Sequence, residues 1–175
     1  MAAIDPPNVP RVRPGLTFLR SHPAHLIALG FGAGLARPGP GTWGTALAWV
    51  LYVAVGRTWD LSWPVQALIG AVALGLGTWA AARAGAALGD IDAGEIVVDE
   101  VVAFWWVLAL LPRTEDPWLL QAVAFVLFRI FDIFKPTPIS WIERRWRNAV
   151  GVMLDDLMAG AYTVLVIVLW ILLEP

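Results

Sequence analysis

The residues best able to do chemistry are two acidic pairs, Asp99-Glu100 in IVVDEVVA and Asp155-Asp156 in VMLDDLMA. Each pair follows three apolar residues and precedes two more and an alanine. Ionised carboxylates at the mouth of a membrane span are expensive and mark functional positions. Their oxygens are hard ligands that suit Mg²⁺, which keeps several waters and also binds substrate phosphate. Neighbouring helical residues point about 100° apart, so one acid of each pair can face the interior while the other meets a neighbour or water. The structural alternative is complementation of a helix dipole by acids in a first turn. That explains one acid more readily than two pairs embedded in apolar sequence. The shared pattern of the two octads fits a parallel duplication, and coincidence in so restricted an alphabet fits as well.

Other candidates surround the pairs. Asp92, in GDIDAGE, lies seven residues before Asp99 and could fold back as a further ligand, or could solvate the loop with Asp90 and Glu95. Arg129 and Asp132 stand three apart on one helical face. They form either an intramembrane ion pair or a working set, with Asp132 joining the acids while Arg129 or Lys135 reaches a phosphate. Lys135 is the only lysine in the chain. The Gly/Pro-dense segment GFGAGLARPGPGTWGT (30–45) lets backbone N–H groups face an anion, which makes Gly39, Gly41, Thr42 and Thr45 candidate phosphate contacts. A tight membrane turn needs the same residue types. His22 and His25 flank a proline and read as interfacial packing.

These residues need elements to hold them. The 175-residue chain is 59% hydrophobic and 15% charged, against roughly 25% charged in soluble domains. Its apolar runs are continuous rather than alternating. The expected fold is therefore all-α, a polytopic membrane helical bundle and not a barrel. Residues 24–35 are too short and glycine-rich to cross and read as a re-entrant or interfacial segment. Residues 43–56, 64–82, 96–111, 117–134 and 153–173 are the expected spans, five in all, several of them short of the ~20 residues a crossing needs. Residues 1–23 are expected to be flexible or surface-lying, and 24–175 to form a single membrane-embedded domain. Trp43, Trp59, Trp63, Trp118, Trp141 and Trp170 fall near expected span ends, where indoles prefer to lie. The absence of cysteine excludes disulfides and thiolate nucleophiles. A net charge of −2 gives no basis for a nucleic-acid partner.

Orientation follows from the basic residues. Arg11, Arg13 and Arg20 precede the first span, and Lys135, Arg144, Arg145 and Arg147 follow the fourth. The positive-inside rule places both regions in the cytoplasm. Asp92, Asp99, Glu100, Asp132, Asp155, Asp156 and the 37–45 segment then converge on one membrane face.

Four blocks, HLIALGFGAGLARPGPGTWGT, IVVDEVVAFW, FVLFRIFDIFKPTPI and GVMLDDLMAG, together resemble the ordered blocks of the phosphatidylglycerophosphatase A family. The resemblance implies a bacterial inner-membrane, Mg²⁺-dependent enzyme with its site on the cytoplasmic face. Such an enzyme removes the terminal phosphate of phosphatidylglycerophosphate to give phosphatidylglycerol. The family pattern falls on Gly39, Pro40, Gly41, Thr42 and Gly44, then Asp92, Asp99 and Glu100, then Arg129, Asp132, Lys135 and Pro136, and finally Asp155 and Asp156. Thr45 stands where a serine is usual, and residues 148–151 are less glycine-rich than the family's lead-in. On this reading Asp99, Glu100, Asp155 and Asp156, with Asp92 or Asp132 assisting, hold the metal and carry the catalysis. The nucleophile is either water or an aspartate. A CDP-alcohol-type headgroup transferase is a rival whose spaced motif is absent. A divalent-cation or proton carrier is another, but no acids lie in the far half of the spans to complete a path.

Overall fold

A computed structural model of the chain describes residues 13–58, 61–112, 114 and 116–173. Short helices α1 (Leu16–Ser21) and α2 (Pro23–Ala28) lead into a 3₁₀ segment, Gly30–Leu35. The long elements follow: α3 (Pro40–Thr58), α4 (Trp63–Leu88), α5 (Val98–Leu110), α6 (Pro117–Phe134), the short α7 (Ile139–Arg145) and α8 (Ala149–Leu173). The described residues contain helices and connections but no strand.

Three helices among the described residues are long and apolar enough to cross a membrane: α4, α6 and α8. This corrects the expectation of five spans, although each expected span does coincide with a helix. The reason lies in α5. Its 13 residues reach only about 20 Å, short of a bilayer's ~30 Å hydrocarbon core. Helix α5 packs against α3, α4, α6 and α8, and Val98, Val102, Phe104, Val107 and Leu108 are all buried. Its length is therefore set by its neighbours rather than by lipid. Helix α3 starts and ends in polar, Gly- and Pro-containing sequence, which leaves it a shorter apolar run than α4 or α8.

Cross-helix contacts fix the directions. A Cβ on Gly44 would meet Val97, and Tyr52 packs edge-on against Trp105, so α3 runs parallel to α5. Gly77 faces Val98 and Gly70 faces Trp106, so α4 is antiparallel to it. Phe104 meets Phe125 edge-on and Phe128 at a tilt, with ring centroids 5.7 and 5.4 Å apart, while Arg129 reaches Glu100, so α6 is antiparallel as well. Asp156 meets Asp99 and Glu100 while Gly160, one turn on, lies against Val107 and Ala103, which makes α8 parallel. The starts of α3, α5 and α8 and the ends of α4 and α6 therefore share one end of the bundle, the end that carries the acids.

The N-terminal segment serves that end. Ala24 and Ala28 of α2 are fully buried in one cluster with Ala80, Ala81 and Ala84 of α4. At six residues, α2 is far too short to cross, in keeping with the expected interfacial segment. His22 Nδ1 accepts from Ala24 N–H at 3.0 Å, and His25 stacks on Phe18 at 4.1 Å. Both rings pack against aromatic neighbours as expected, and the cap that His22 gives α2 is an added role. Ala28 O then accepts from Val97 N–H at 2.9 Å, which secures the residue before α5. Gly34 passes so close to this strand of chain that a Cβ there would lie 2.0 Å from Glu95 O. At the other boundaries, Trp43, Trp63, Trp118, Trp141 and Trp170 are all exposed, as interfacial indoles should be. Trp59, Arg11 and the rest of residues 1–12 lie outside the described residues.

Candidate active site

Asp99 and Glu100 occupy the first turn of α5, and Asp156 lies on the facing side of α8. Each offers a carboxylate oxygen within 4.8 Å of the other two. Asp99 and Asp156 are buried, and the Glu100 side chain is nearly so. Glu100 Oε2 and Asp156 Oδ2 are buried without a hydrogen-bond partner among the described residues.

The nearby cation does not balance this charge. Arg129 Nη1 sits 2.7 Å from Asp132 Oδ2 and 3.6 Å from Glu100 Oε1. One guanidinium therefore bridges Asp132 and Glu100, and Asp99 and Asp156 adjoin Glu100. Burying even one uncompensated ion costs several kcal/mol, so the cluster calls for additional positive charge. Oxygen-only donors with two orphaned atoms fit a hard divalent cation such as Mg²⁺. The donor set therefore suits the metal that the sequence suggested.

The other expected ligands are placed differently. Asp155 Oδ2 accepts from Lys135 Nζ at 2.6 Å and lies outside the three-acid group. This is the 100° divergence of adjacent helical residues at work: Asp156 turns inward to α5 and Asp155 turns toward the end of α6. Lys135 closes α6 in the left-handed region, with φ of 42°. A non-glycine residue there is uncommon and marks a conformation held by its surroundings. Asp92 lies on the wall of a cavity of about 430 Å³ that it shares with Asp90, Trp146, Arg147, Val152 and Asp155. Asp132 pairs with Arg129, and its carboxyl also adjoins Asp156 and Glu100, so it joins the acids as one of the two readings expected.

The Gly/Pro segment divides into two pairs. Gly39 and Thr42 are exposed at the acid end, where an anion could meet them. Gly41 and Thr45 are buried. A Cβ on Gly41 would lie 2.0 Å from Glu100 Oε1 and 3.0 Å from both terminal nitrogens of Arg129, so the Glu100–Arg129 contact occupies the space a side chain would need. The Thr45 hydroxyl donates to Gly41 O at 2.9 Å and accepts from Arg129 Nη1 at 3.4 Å. These two residues brace the arginine.

Sequence reasoning did not single out Arg147 or Trp146 as cavity residues. Arg147 had counted only toward membrane orientation. The Arg37–Glu95 pair, at 3.2 Å, was also unforeseen. Its partners are 58 residues apart, and no local spacing signals it.

Comparisons with known proteins show the family. The family model described as Phosphatidylglycerophosphatase A matches residues 26–171. The chain belongs to the phosphatidylglycerophosphatase A family. A Haemophilus influenzae protein named phosphatidylglycerophosphatase A is 39% identical over 146 residues, covering 83% of this chain and 87% of the relative. The Escherichia coli K12 protein of the same name is 36% identical over 143 residues, covering 80% and 78%. A Bacteroides thetaiotaomicron relative, 37% identical over 145 residues and covering 81% and 89%, is provisionally named as a phosphatidylinositol-3-phosphatase. No solved structure matches the chain. The family match spans every candidate from Gly39 to Asp156. Membership in a phosphatidylglycerophosphatase family makes the chain an enzyme of the phosphoric monoester hydrolase class, and its apolar helices make it a membrane protein.

Proposed function

We propose that this chain hydrolyses the terminal phosphomonoester of phosphatidylglycerophosphate, giving phosphatidylglycerol and inorganic phosphate, at the cytoplasmic face of a bacterial inner membrane. The observation that carries the reading is the three-acid cluster within reach of Arg129, inside a chain that matches the family over residues 26–171. Arg13, Arg20, Arg37, Lys135, Arg145 and Arg147 all belong to segments at the acid end, which supports a cytoplasmic site.

Asp99, Glu100 and Asp156 would hold Mg²⁺. When bound, it supplies charge neutralisation at the phosphate oxygens and orientation of the reacting groups. The protein's own residues do the rest. Arg129 is fixed by Asp132, Glu100 and Thr45, so it presents a pre-set guanidinium face to the phosphate. Lys135, about a quarter exposed and tethered by Asp155, supplies a movable point charge at the mouth. Gly39 and Thr42, exposed at the same end of the bundle, offer backbone and hydroxyl contacts. In the overall reaction the P–O bond to the glycerol breaks, water supplies the fourth phosphate oxygen, and the departing alcohol takes a proton.

The test is phosphate release by purified protein in mixed micelles. Release from phosphatidylglycerophosphate that requires Mg²⁺ and is lost in Asp156→Asn is expected. The B. thetaiotaomicron relative's name makes phosphatidylinositol 3-phosphate the informative competitor. Faster turnover of that lipid, or of phosphatidic acid, would overturn the assignment of substrate.

A further inference from the structure

An apolar groove of about 260 Å³ opens between α4 and α8 with α5 as its floor. It is lined by Leu74, Ala103, Trp106, Val107, Gly160 and Val164, among others, and polar atoms contribute very little of its surface. Its register with the acids is specific. Ala103 and Val107 lie four and eight residues after Asp99, and Gly160 and Val164 lie four and eight after Asp156. Positions four apart share a helix face. The faces of α5 and α8 that carry the metal-binding acids therefore continue, one turn or about 5.4 Å further in, as the walls of the groove. Small residues keep it open: a Cβ on Gly160 would already lie 3.0 Å from Val107.

We propose that this groove is an acyl-chain site, holding the upper part of one hydrocarbon chain of the lipid whose phosphate is cleaved. The inference rests on the lipid-phosphatase reading and deepens it. A substrate with its phosphate at Asp99, Glu100 and Asp156 must send its glycerol backbone and tails toward the membrane interior. The apolar continuation of the same two helix faces lies in that direction. Two of its three walls belong to helices long and apolar enough to cross a membrane, so it opens at hydrocarbon depth. A chain seated there would fix the depth of the headgroup. Bulk lipid filling the groove independently of the headgroup, or a second copy of the protein covering it, would not be tied to catalysis.

The test fills the groove at its rim. Ala161 lines the groove but is exposed, so Ala161→Trp occupies it without entering the core. Val126→Trp, on the exposed surface of α6, is the control. The expected result is a fall in kcat/KM of at least about tenfold on dioleoyl phosphatidylglycerophosphate, equivalent to about two methylenes displaced from apolar contact. The deacylated headgroup, which carries no hydrocarbon chain, and the control variant should change little. Equal effects on the acylated and deacylated substrates, or none on either, would overturn the acyl site and leave the phosphatase reading standing. Should Ala161→Trp fail to fold, the wild-type protein decides by photolabelling with diazirine-tailed phosphatidylglycerophosphate. Labels on Trp106, Leu157 or Val164 support the site, and labels confined to outward faces such as Val126 reject it. Labelling does not depend on turnover, so a chain that releases no phosphate refutes the activity separately.

Discussion

Lys135 Nζ lies 2.6 Å from Asp155 Oδ2, whereas the adjacent Asp156 turns away to within 4.8 Å of Asp99 and Glu100. Two neighbouring aspartates thus have different surroundings, one beside a lysine and the other among the carboxyls of Asp99, Glu100 and Asp132. Their substitutions should therefore differ in kind.

Asp155→Asn should retain divalent-cation affinity but lose positioning of Lys135. Removing one electrostatic contact to a reacting group costs on the order of 10²-fold in rate. A fall of roughly that size in kcat, with unchanged Mg²⁺ dependence, is expected from steady-state assays. A large rise in the Mg²⁺ concentration needed for half-maximal rate would instead make Asp155 a ligand.

Gly41→Ala should disable the site without unfolding the protein. Its Cβ would lie 2.0 Å from Glu100 Oε1, and a shift of about 1 Å in a positioned group can cost ~10²-fold in rate. Circular dichroism should show helicity retained while phosphate release collapses. Normal activity would mean that Glu100 need not sit where it does.

Arg129→Lys should be a poor replacement. One guanidinium spans Asp132, Glu100 and Thr45, and an ammonium cannot bridge three partners in that fork geometry. A loss of about tenfold or more in kcat/KM is expected. Thr45→Ser keeps the hydroxyl and should stay near wild type, while Thr45→Val should fall part of the way toward Arg129→Lys. Equal activity in the serine and valine variants would remove the hydroxyl from the account.

Gly34→Ala tests the scaffold. A Cβ 2.0 Å from Glu95 O forces backbone apart just before α5, and overpacking of this kind costs about 1–3 kcal/mol. Thermal unfolding in detergent should show a lowered midpoint, with residual activity falling in parallel. An unchanged midpoint would show that this approach is not a constraint on the fold.

Much of this arrangement could be read from the chain. Continuous apolar runs gave the helix positions, and their alternating directions brought the acids to one end. Two features resisted that reading. A count of apolar residues could not distinguish a lipid-facing span from the enclosed α5, whose short length is permitted by the helices around it. Local spacing likewise could not tell Asp155 from Asp156. Both sit in the same apolar octad, and only the approach of Lys135 from α6 separates them. Gly41 and Thr45 were legible as special but not in role: glycines that cradle an anion and glycines that admit a neighbouring side chain look alike in sequence.

The central claim is that Asp99, Glu100 and Asp156 together hold a divalent cation. Electron paramagnetic resonance of Mn²⁺ with the purified protein, with Mg²⁺ as competitor, tests it without relying on turnover. Saturable binding that Mg²⁺ displaces, lost in Asp99→Asn, Glu100→Gln and Asp156→Asn but kept in Asp155→Asn, is the predicted result. Undiminished binding in the three cluster variants, or loss only in Asp155→Asn, would contradict it.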